Sequence, residues 1–528
     1  MPPFREYGAY LFLFLAFLLS RFLFLSHTPY EWDSVSFAFA IRDFSIPSDA
    51  PHPPGYLYYV LAGQLADAVF RDPLRSLLAL NFIFGALTFG VLYRIGRLLR
   101  GRRAGLLAAF LFVVNPFAWF YGEVAEIYLT LGCMSALCGY FFLRYERDGQ
   151  PGSLYRATLM LGIAGGFRPD ALFFLLPLWG YLVFFIHPCR RTAFLQALLL
   201  AVLTLAWGVP VLVNCNGLSS YLALSGANVA PFFRDHSVLF GAPVAAHLRM
   251  VARLGAWTLL GLGPLLMVIA AALLSGRWRT EHLRDTRLFL LWTVPAFIFF
   301  ALFYIAKPGY LLFLLPPVIL ATAACIDRLF RIETHGPWKI IAVLLLLSLP
   351  GLFYLFSPGT GGHDADFRVQ GGARNALKRL FRYTLSDLRA MDALNETHRL
   401  LVSRALLDHP ETILVFAEPS HWSFRAANYY FPETEAHLFF DVSGVPFAGH
   451  EQYEYGRNYT VQGLSVQTEQ RPVLFFTLEH TPAAAMLNGL GLDRVDVLDA
   501  YAYWLAGDNV RTVDFCNRRI SLLPLNTP

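Results

Sequence analysis

The stretch YGAYLFLFLAFLLSRFLFLS, residues 7–26, carries a single charge, Arg21, in twenty residues. At the helical rise of about 1.5 Å per residue it spans about 30 Å, the thickness of a bilayer's hydrocarbon core. It is too long for a signal peptide and lacks a small-residue cleavage site, so it reads as a retained first membrane span. The next stretch is different in kind. EWDSVSFAFAIRDFSIPSDAPHPPGYLYY, residues 31–59, packs acids, a histidine and four prolines against that apolar run.

The rest of the chain repeats the first pattern. Its 528 residues are 56% hydrophobic and only 15% charged, against about 25% charged in soluble domains, and the mean hydropathy is +0.48. Repeated apolar runs of spanning length make this an α-helical polytopic membrane protein. The net charge of +5 is not a nucleic-acid signal. The basic residues sit in clusters between spans, at 94–103, 144–156, 189–191, 276–287 and 327–339, as membrane orientation requires. The six cysteines are scattered without metal-site spacing. A disulfide between Cys215 and Cys516 is conceivable if both lie outside the cytoplasm.

Placing every basic cluster on the cytoplasmic side orders the spans. Residues 7–26 go out and 76–97 come back, ending in arginines. The segment between them, PPGYLYYVLAGQLADAVF (54–71), has both ends outside and should lie at the outer interface, with Pro53 and Pro54 at its helix start. Its tyrosines, 56, 58 and 59, read as interface anchors. Alternation then gives spans near 104–122, 125–144, 154–167, 169–187, 192–213, 254–275, 287–305, 309–326 and 338–356, about eleven in all, with an outer loop of roughly forty residues before 254. Residues 1–356 form the membrane domain, with 27–75 as its first external loop. Residues 357–528 change character. Strand-like runs at 412–418, 436–442 and 472–479 alternate with helix-like runs at 374–394 and 421–431, the pattern of a separate extracytoplasmic α/β domain. Sequons at Asn395 and Asn458 would be accessible there in a eukaryotic host.

Ionisable residues gather at the outer turns: Glu31, Asp33, Arg42, Asp43, Asp49 and His52 in the first loop, then Glu123 and Glu126, Arg168 and Asp170, Arg234, Asp235, His236 and His247, and Lys307. Such groups at the rim of apolar helices are costly unless they face a cavity or a partner. No phosphate-binding glycine loop, metalloprotease helix or nucleophile elbow accompanies them. An outward-facing membrane enzyme without a nucleotide site needs a donor already in the membrane, and a lipid-linked phosphosugar fits. A carboxylate would take the acceptor's proton and cations would stabilise the departing phosphate. Each residue has a plainer reading as well. Asp33 suits a helix cap, Glu126 a helix N-terminus, His52 packing among prolines, Lys307 a side chain snorkelling to headgroups, and Arg168 a simple pair with Asp170.

An Asp soon after the first span, HPPGY opening an interfacial helix, a span ending in arginines and EVAEIY at the next outer turn, in this order, resemble the GT-C membrane glycosyltransferases. The resemblance is to the protein O-mannosyltransferase and aminoarabinose lipid A transferase group, and to a related family of uncharacterised function with an HPPGYPLY stretch, where this chain has HPPGYLYY. GFRPDALFFLLPLW and KPGYLLFLLPP strengthen it, over residues 1–330. The resemblance implies an inverting transfer of one sugar from a polyprenyl-phosphate donor to a protein, lipid or envelope-glycan acceptor. It implies Asp33 as the catalytic base with Glu31 as rival, Glu126 as second acid with Glu123 as rival, and Lys307, Arg168 and His52 as donor-phosphate ligands. No cofactor is indicated; some members use a divalent metal at the second acid. The absence of a retrieval signal and of long disordered loops leans toward a bacterial inner membrane. The rival classes are a transporter or flippase of lipid-linked sugars, which calls for charges in mid-span and an inverted repeat, and a non-catalytic scaffold.

Overall fold

A computed structural model describes residues 2–186, 189–275, 283–329, 332–358, 383–417, 421–439, 459–461, 472–478, 488–489, 493–497, 501–505, 511–515 and 518–522. Helix α1 (Pro2–Phe22) leads into α2 (Trp32–Arg42) and α3 (Leu57–Phe70). At 14 residues α3 is about 21 Å long, too short to cross a bilayer. Its exposed face carries Leu61, Leu65, Val69 and Phe70, as expected for a helix lying at an interface. The prolines do not start it. They lie in the turn before it, which closes through Gly55 at φ +98° and Tyr56 at φ +46°. A Cβ on Gly55 would meet Ile46 Cδ1 at 2.6 Å, so backbone freedom and close packing both call for glycine there. Tyr56 and Tyr59 are buried in the protein, and the Tyr58 ring packs on Gly166. None of the three is the free interface anchor expected of it.

The long helix α4 (Pro73–Arg100) begins at Asp72, whose side chain accepts the Arg75 amide at 3.0 Å, with Pro73 in the first turn. It ends among the arginines at Gly101. The next expected span is broken. Helices α5 (Arg102–Val113) and α6 (Pro116–Glu123) meet at 58°. Asn115 caps α6 through the amides of Phe117 and Ala118, and donates to Gly261 O at 2.7 Å. Helices α7 (Tyr128–Asp148), α8 (Pro151–Phe167), α9 (Pro169–Tyr181) and α10 (Arg190–Asn214) come next, near their expected positions.

The roughly forty-residue loop is mostly helical. It holds α11 (Leu218–His236) and the start of α12 (Val244–Gly261). The run 254–275 is not one straight span, because α12 meets α13 (Gly263–Leu274) at 80°. Gly263 and Pro264 account for the break, since proline removes a helical donor and glycine relaxes the turn. Helices α14 (Leu283–Leu302), α15 (Leu315–Leu329) and α16 (Ile332–Phe356) complete the apolar part. Among the described residues four helices are long and apolar enough to cross a membrane, or six if each bent pair counts as one span. The protein is integral to a membrane.

Beyond 383 come α17 (Leu385–Asp408), β1 (Ile413–Ala417), α18 (His421–Tyr430) and β2 (Ala436–Phe439), then β3 (Tyr459–Val461), β4 (Val473–Leu478), β5 (Asp493–Val497) and β6 (Tyr501–Leu505). They build a sheet in the order β3-β2-β1-β4-β6-β5. The first four strands run parallel and β6 is antiparallel to both of its neighbours. Ile413, Leu414, Val415 and Phe416 are all buried, which explains why β1 reads as a continuous apolar run rather than an alternating one. A separate hairpin pairs β7 (Arg511–Phe515) with β8 (Arg518–Leu522). The expected helix over 374–394 appears from 385 onward; its first part lies outside the described residues, as do Cys516 and Asn458. Asn395 is fully buried, so its sequon is closed to modification in the folded chain, against the expectation of access.

Candidate active site

Five turns meet at one end of the helical bundle, far along α4 from its arginines. They are the N-terminus of α2, the turn before α3, the 124–127 turn, the α8–α9 turn and the approach to α15. Glu31 precedes α2 and Asp33 lies in its first turn. Lys307 precedes a short 3-10 helix, Pro308–Phe313. Gly309 lets that helix press on α7, since a Cβ there would sit 2.3 Å from Tyr128 Cγ. The result is a three-centre cluster. Lys307 Nζ pairs with Asp33 Oδ2 at 2.8 Å and with Glu31 Oε2. On the other side of Asp33, His52 Nδ1 stands 3.8 Å from Oδ1, while His52 Nε2 bonds the Tyr56 hydroxyl at 3.1 Å.

The Asp33 carboxyl is only a quarter exposed, and burial alone would raise its pKa. The charges of Lys307, then His52 and Arg168, outweigh that and hold it down to about 2. Burial likewise opposes the Lys307 charge, but Asp33, Glu126 and Glu31 raise its pKa well above the ordinary value. Glu126 is buried behind this pair. Ser34 Oγ donates to its Oε1 at 3.1 Å and accepts the Glu31 amide at 3.3 Å, tying both acids to one hydroxyl. Among the described residues Glu126 Oε2 has no hydrogen-bond partner. Burial, the largest influence, pushes this carboxyl's pKa well up.

Arg168 is also buried. It grips Asp170 with two bonds, Nε to Oδ1 at 3.0 Å and Nη2 to Oδ2 at 2.8 Å. Its guanidinium sits in a box of tyrosine rings, 5.5 Å from Tyr56, 5.1 Å from Tyr128 and 5.3 Å from Tyr310. The Tyr128 ring also faces Lys307 at 5.9 Å, so one aromatic face joins the two cations. These tyrosines and Ser34 were missed as site residues, although EIY, KPGY and EWDS held the signal.

The structure thus brings Glu31, Asp33, His52, Glu126, Arg168 and Lys307 together and leaves Glu123 apart. The buried Glu123 carboxylate accepts from the Tyr354 hydroxyl, and the Arg21 charge acts on the same pair. Asp49 is a loop staple, accepting from Trp32 Nε1 at 2.7 Å and Ser36 Oγ at 3.0 Å. Arg42 lies over the Tyr429 ring, and Asp43, Arg234 and Asp235 are exposed. His236 and His247 bond backbone carbonyls in the α11–α12 region. Among the described residues no group of three or more His, Cys, Asp or Glu is arranged to hold a metal ion.

Residues 51–214 match the family described as dolichyl-phosphate-mannose-protein mannosyltransferase. No curated protein sequence matches the chain. Among solved structures, ArnT from Cupriavidus metallidurans bound to undecaprenyl phosphate superposes over 96% of this chain and all of its own, with a TM-score of 0.59 at 13% identity. The apo form of that protein covers 95% of this chain and 99% of its own at a TM-score of 0.55 and 13% identity. The Archaeoglobus fulgidus oligosaccharyltransferase tethered to an acceptor peptide matches 82% of this chain and 64% of its own, with a TM-score of 0.50 at 15% identity. The chain resembles GT-C membrane glycosyltransferases in its sequence and shares their fold.

Proposed function

We propose that this chain transfers a single sugar from a polyprenyl-phosphate donor to an acceptor hydroxyl or amine on a protein, lipid or envelope glycan, with inversion at the anomeric carbon. The observation that carries the proposal is the shared lysine. Lys307 joins Glu31 and Asp33 at the rim of the membrane bundle, with Glu126 one hydroxyl behind and Arg168 across the same tyrosine. The fold is one found with undecaprenyl phosphate bound in another protein, which supports the donor class.

In this reading Asp33 accepts the acceptor's proton as its oxygen or nitrogen attacks the anomeric carbon. The carbon–oxygen bond to phosphate breaks with inversion, and the lipid phosphate leaves with the electron pair. A carboxylate held near pKa 2 is a weak base. The Lys307 ammonium has three donors, two of them engaged by Glu31 and Asp33. A donor phosphate drawing Lys307 toward itself removes the main influence that depresses Asp33, so the base gains strength as the leaving group gains a cation. Arg168, already paired with Asp170, adds fixed positive potential, and His52 supplies a further donor. Glu126 Oε2, buried and unpartnered among the described residues, suits a second polar group of the acceptor.

The same reading puts the site and the α/β segment on the extracytoplasmic face of a bacterial inner membrane, opposite the arginine-rich ends. The test is transfer of radiolabelled sugar from polyprenyl-phosphate-linked hexoses and pentoses to membrane acceptors. Asp33→Asn is expected to lower the rate by about 10²–10⁴-fold with donor binding retained. Undiminished transfer would move the base to Glu31 or Glu126, and a wild type inactive with every donor would overturn the reading.

A further inference from the structure

Helix α17, more than 350 residues from the first loop, closes on the segment that leads into the acids. Asp392 Oδ1 accepts from Ser26 Oγ at 2.6 Å and Thr28 Oγ1 at 2.8 Å. It also accepts the amides of His27 and Thr28, each at 3.2 Å. Asp392 Oδ2 accepts from Arg389 at 3.2 Å, and Arg389 also donates to Leu25 O at 3.3 Å. One turn on, the fully buried Asn395 amide donates to Thr28 Oγ1 and to Pro29 O, each at 3.0 Å. Residues 25–29 are held in this way, two positions before Glu31 and four before Asp33. The far end of α2 is held from the same segment, where Arg42 lies 5.6 Å over the Tyr429 ring.

Apolar burial would suffice to dock a helix. A carboxylate that gathers four donors from three consecutive residues does something burial cannot: it fixes direction and register, because charge-assisted hydrogen bonds are short and oriented. We propose that Asp392 and Asn395 are positioning residues that set where Glu31 and Asp33 meet Lys307, making the α/β segment part of the machinery of transfer. The role rests on the reading of Asp33 as the base. Displacing a reacting group by about 1 Å can cost about 10²-fold in rate; besides the α17 contacts, the Ser26 amide donates to Glu123 O at 2.8 Å.

The experiment uses full-length protein carrying Asp392→Ala, Asn395→Leu or Asp392→Asn, with Glu396→Gln on the exposed side of α17 as control. Amide exchange over residues 26–36 is followed together with kcat and KM for a polyprenyl-phosphate sugar. Asp392→Ala and Asn395→Leu are expected to speed exchange in that segment and to lower kcat by about tenfold or more, with KM for the donor and the unfolding midpoint nearly unchanged. Asp392→Asn, which keeps an acceptor oxygen, recovers most of the rate, and Glu396→Gln matches wild type. Unchanged exchange overturns the clamp. Faster exchange with unchanged kcat, or a rate that falls only with the folded fraction, overturns the positioning role. A wild type inactive with every donor removes that role together with the reading of the site, and the exchange data separate that failure from failure of the clamp.

Discussion

Lys307 is the strongest of the charges that keep Asp33 ionised. Without that ammonium the burial that opposes ionisation is met only by His52 and Arg168, and two carboxylates, Glu31 and Asp33, are left side by side. The consequence for stability has a definite sign. In the wild type the Asp33 pKa is lowered from 3.8 to about 2, so its contribution to folding is present above the ordinary carboxylate range and lost as pH falls toward 2. In Lys307→Met the largest of the depressing influences is gone while His52 and Arg168 remain, so the downward shift shrinks. Unfolding midpoints measured between about pH 3 and pH 7 are therefore expected to rise with pH in the wild type around this group and to rise less in Lys307→Met. The same variant is expected to bind polyprenyl phosphate at least about tenfold more weakly, through loss of one charge-assisted contact. Parallel pH profiles for the two proteins would show that Lys307 does not govern Asp33.

At the scale of elements, the 3-10 helix Pro308–Phe313 sets the lysine's position, and it does so through one glycine. Gly309→Ala puts a methyl 2.3 Å from the Tyr128 ring carbon Cγ. Because that ring is itself packed against Tyr121 and Tyr310, the helix must shift. A destabilisation of about 1–3 kcal/mol is expected, read as a lower unfolding midpoint, and transfer falls because Lys307 moves with the helix. Wild-type stability and rate would mean that the ring yields. KPGY was visible in the sequence, whereas its contact with EIY was not, since nothing local tells which two turns touch. Other elements divide the same way. The helix within 54–71 was legible as something other than a span because its apolar run is too short to cross a bilayer. The bends at Asn115–Pro116 and Gly263–Pro264 carried proline signals, but the runs around them were apolar enough to pass for straight spans. The tyrosines of α3 misled because an aromatic belt and an aromatic core use the same residue. Only the turn through Gly55 and Tyr56, which folds Tyr56 inward over Arg168, decides between them.

At the scale of the whole molecule, two of the buried ionic systems among the described residues lie at neighbouring turns, and the sequence alone could not separate them. Glu123 and Glu126 are three residues apart, yet the chain bends between α6 and α7 and sends them to different partners. Glu126 joins Ser34 and the Lys307 cluster. Glu123 joins Tyr354 of α16, near Arg21 of α1, whose guanidinium lies 4.2 Å over the Trp119 ring and donates to Val113 O at 2.8 Å. This second system ties the first apolar helix, the broken α5–α6 pair and the last apolar helix into one body. The two systems are expected to respond differently to comparably small changes. Tyr354→Phe deletes one hydroxyl and leaves a buried carboxylate oxygen without its donor, at a cost of about 1–3 kcal/mol. It is expected to lower the unfolding midpoint and leave kcat per folded enzyme unchanged. Ser34→Ala deletes the hydroxyl on the Glu126 side. It is expected to lower kcat by about tenfold, the effect of one lost hydrogen bond of about 1.4 kcal/mol in the transition state, with a smaller loss of stability. Thermal unfolding and single-turnover transfer on the two variants check the division. If Tyr354→Phe were the one to lose kcat, the acid that serves the acceptor would be Glu123, and the reactive end of the molecule would extend inward to Arg21.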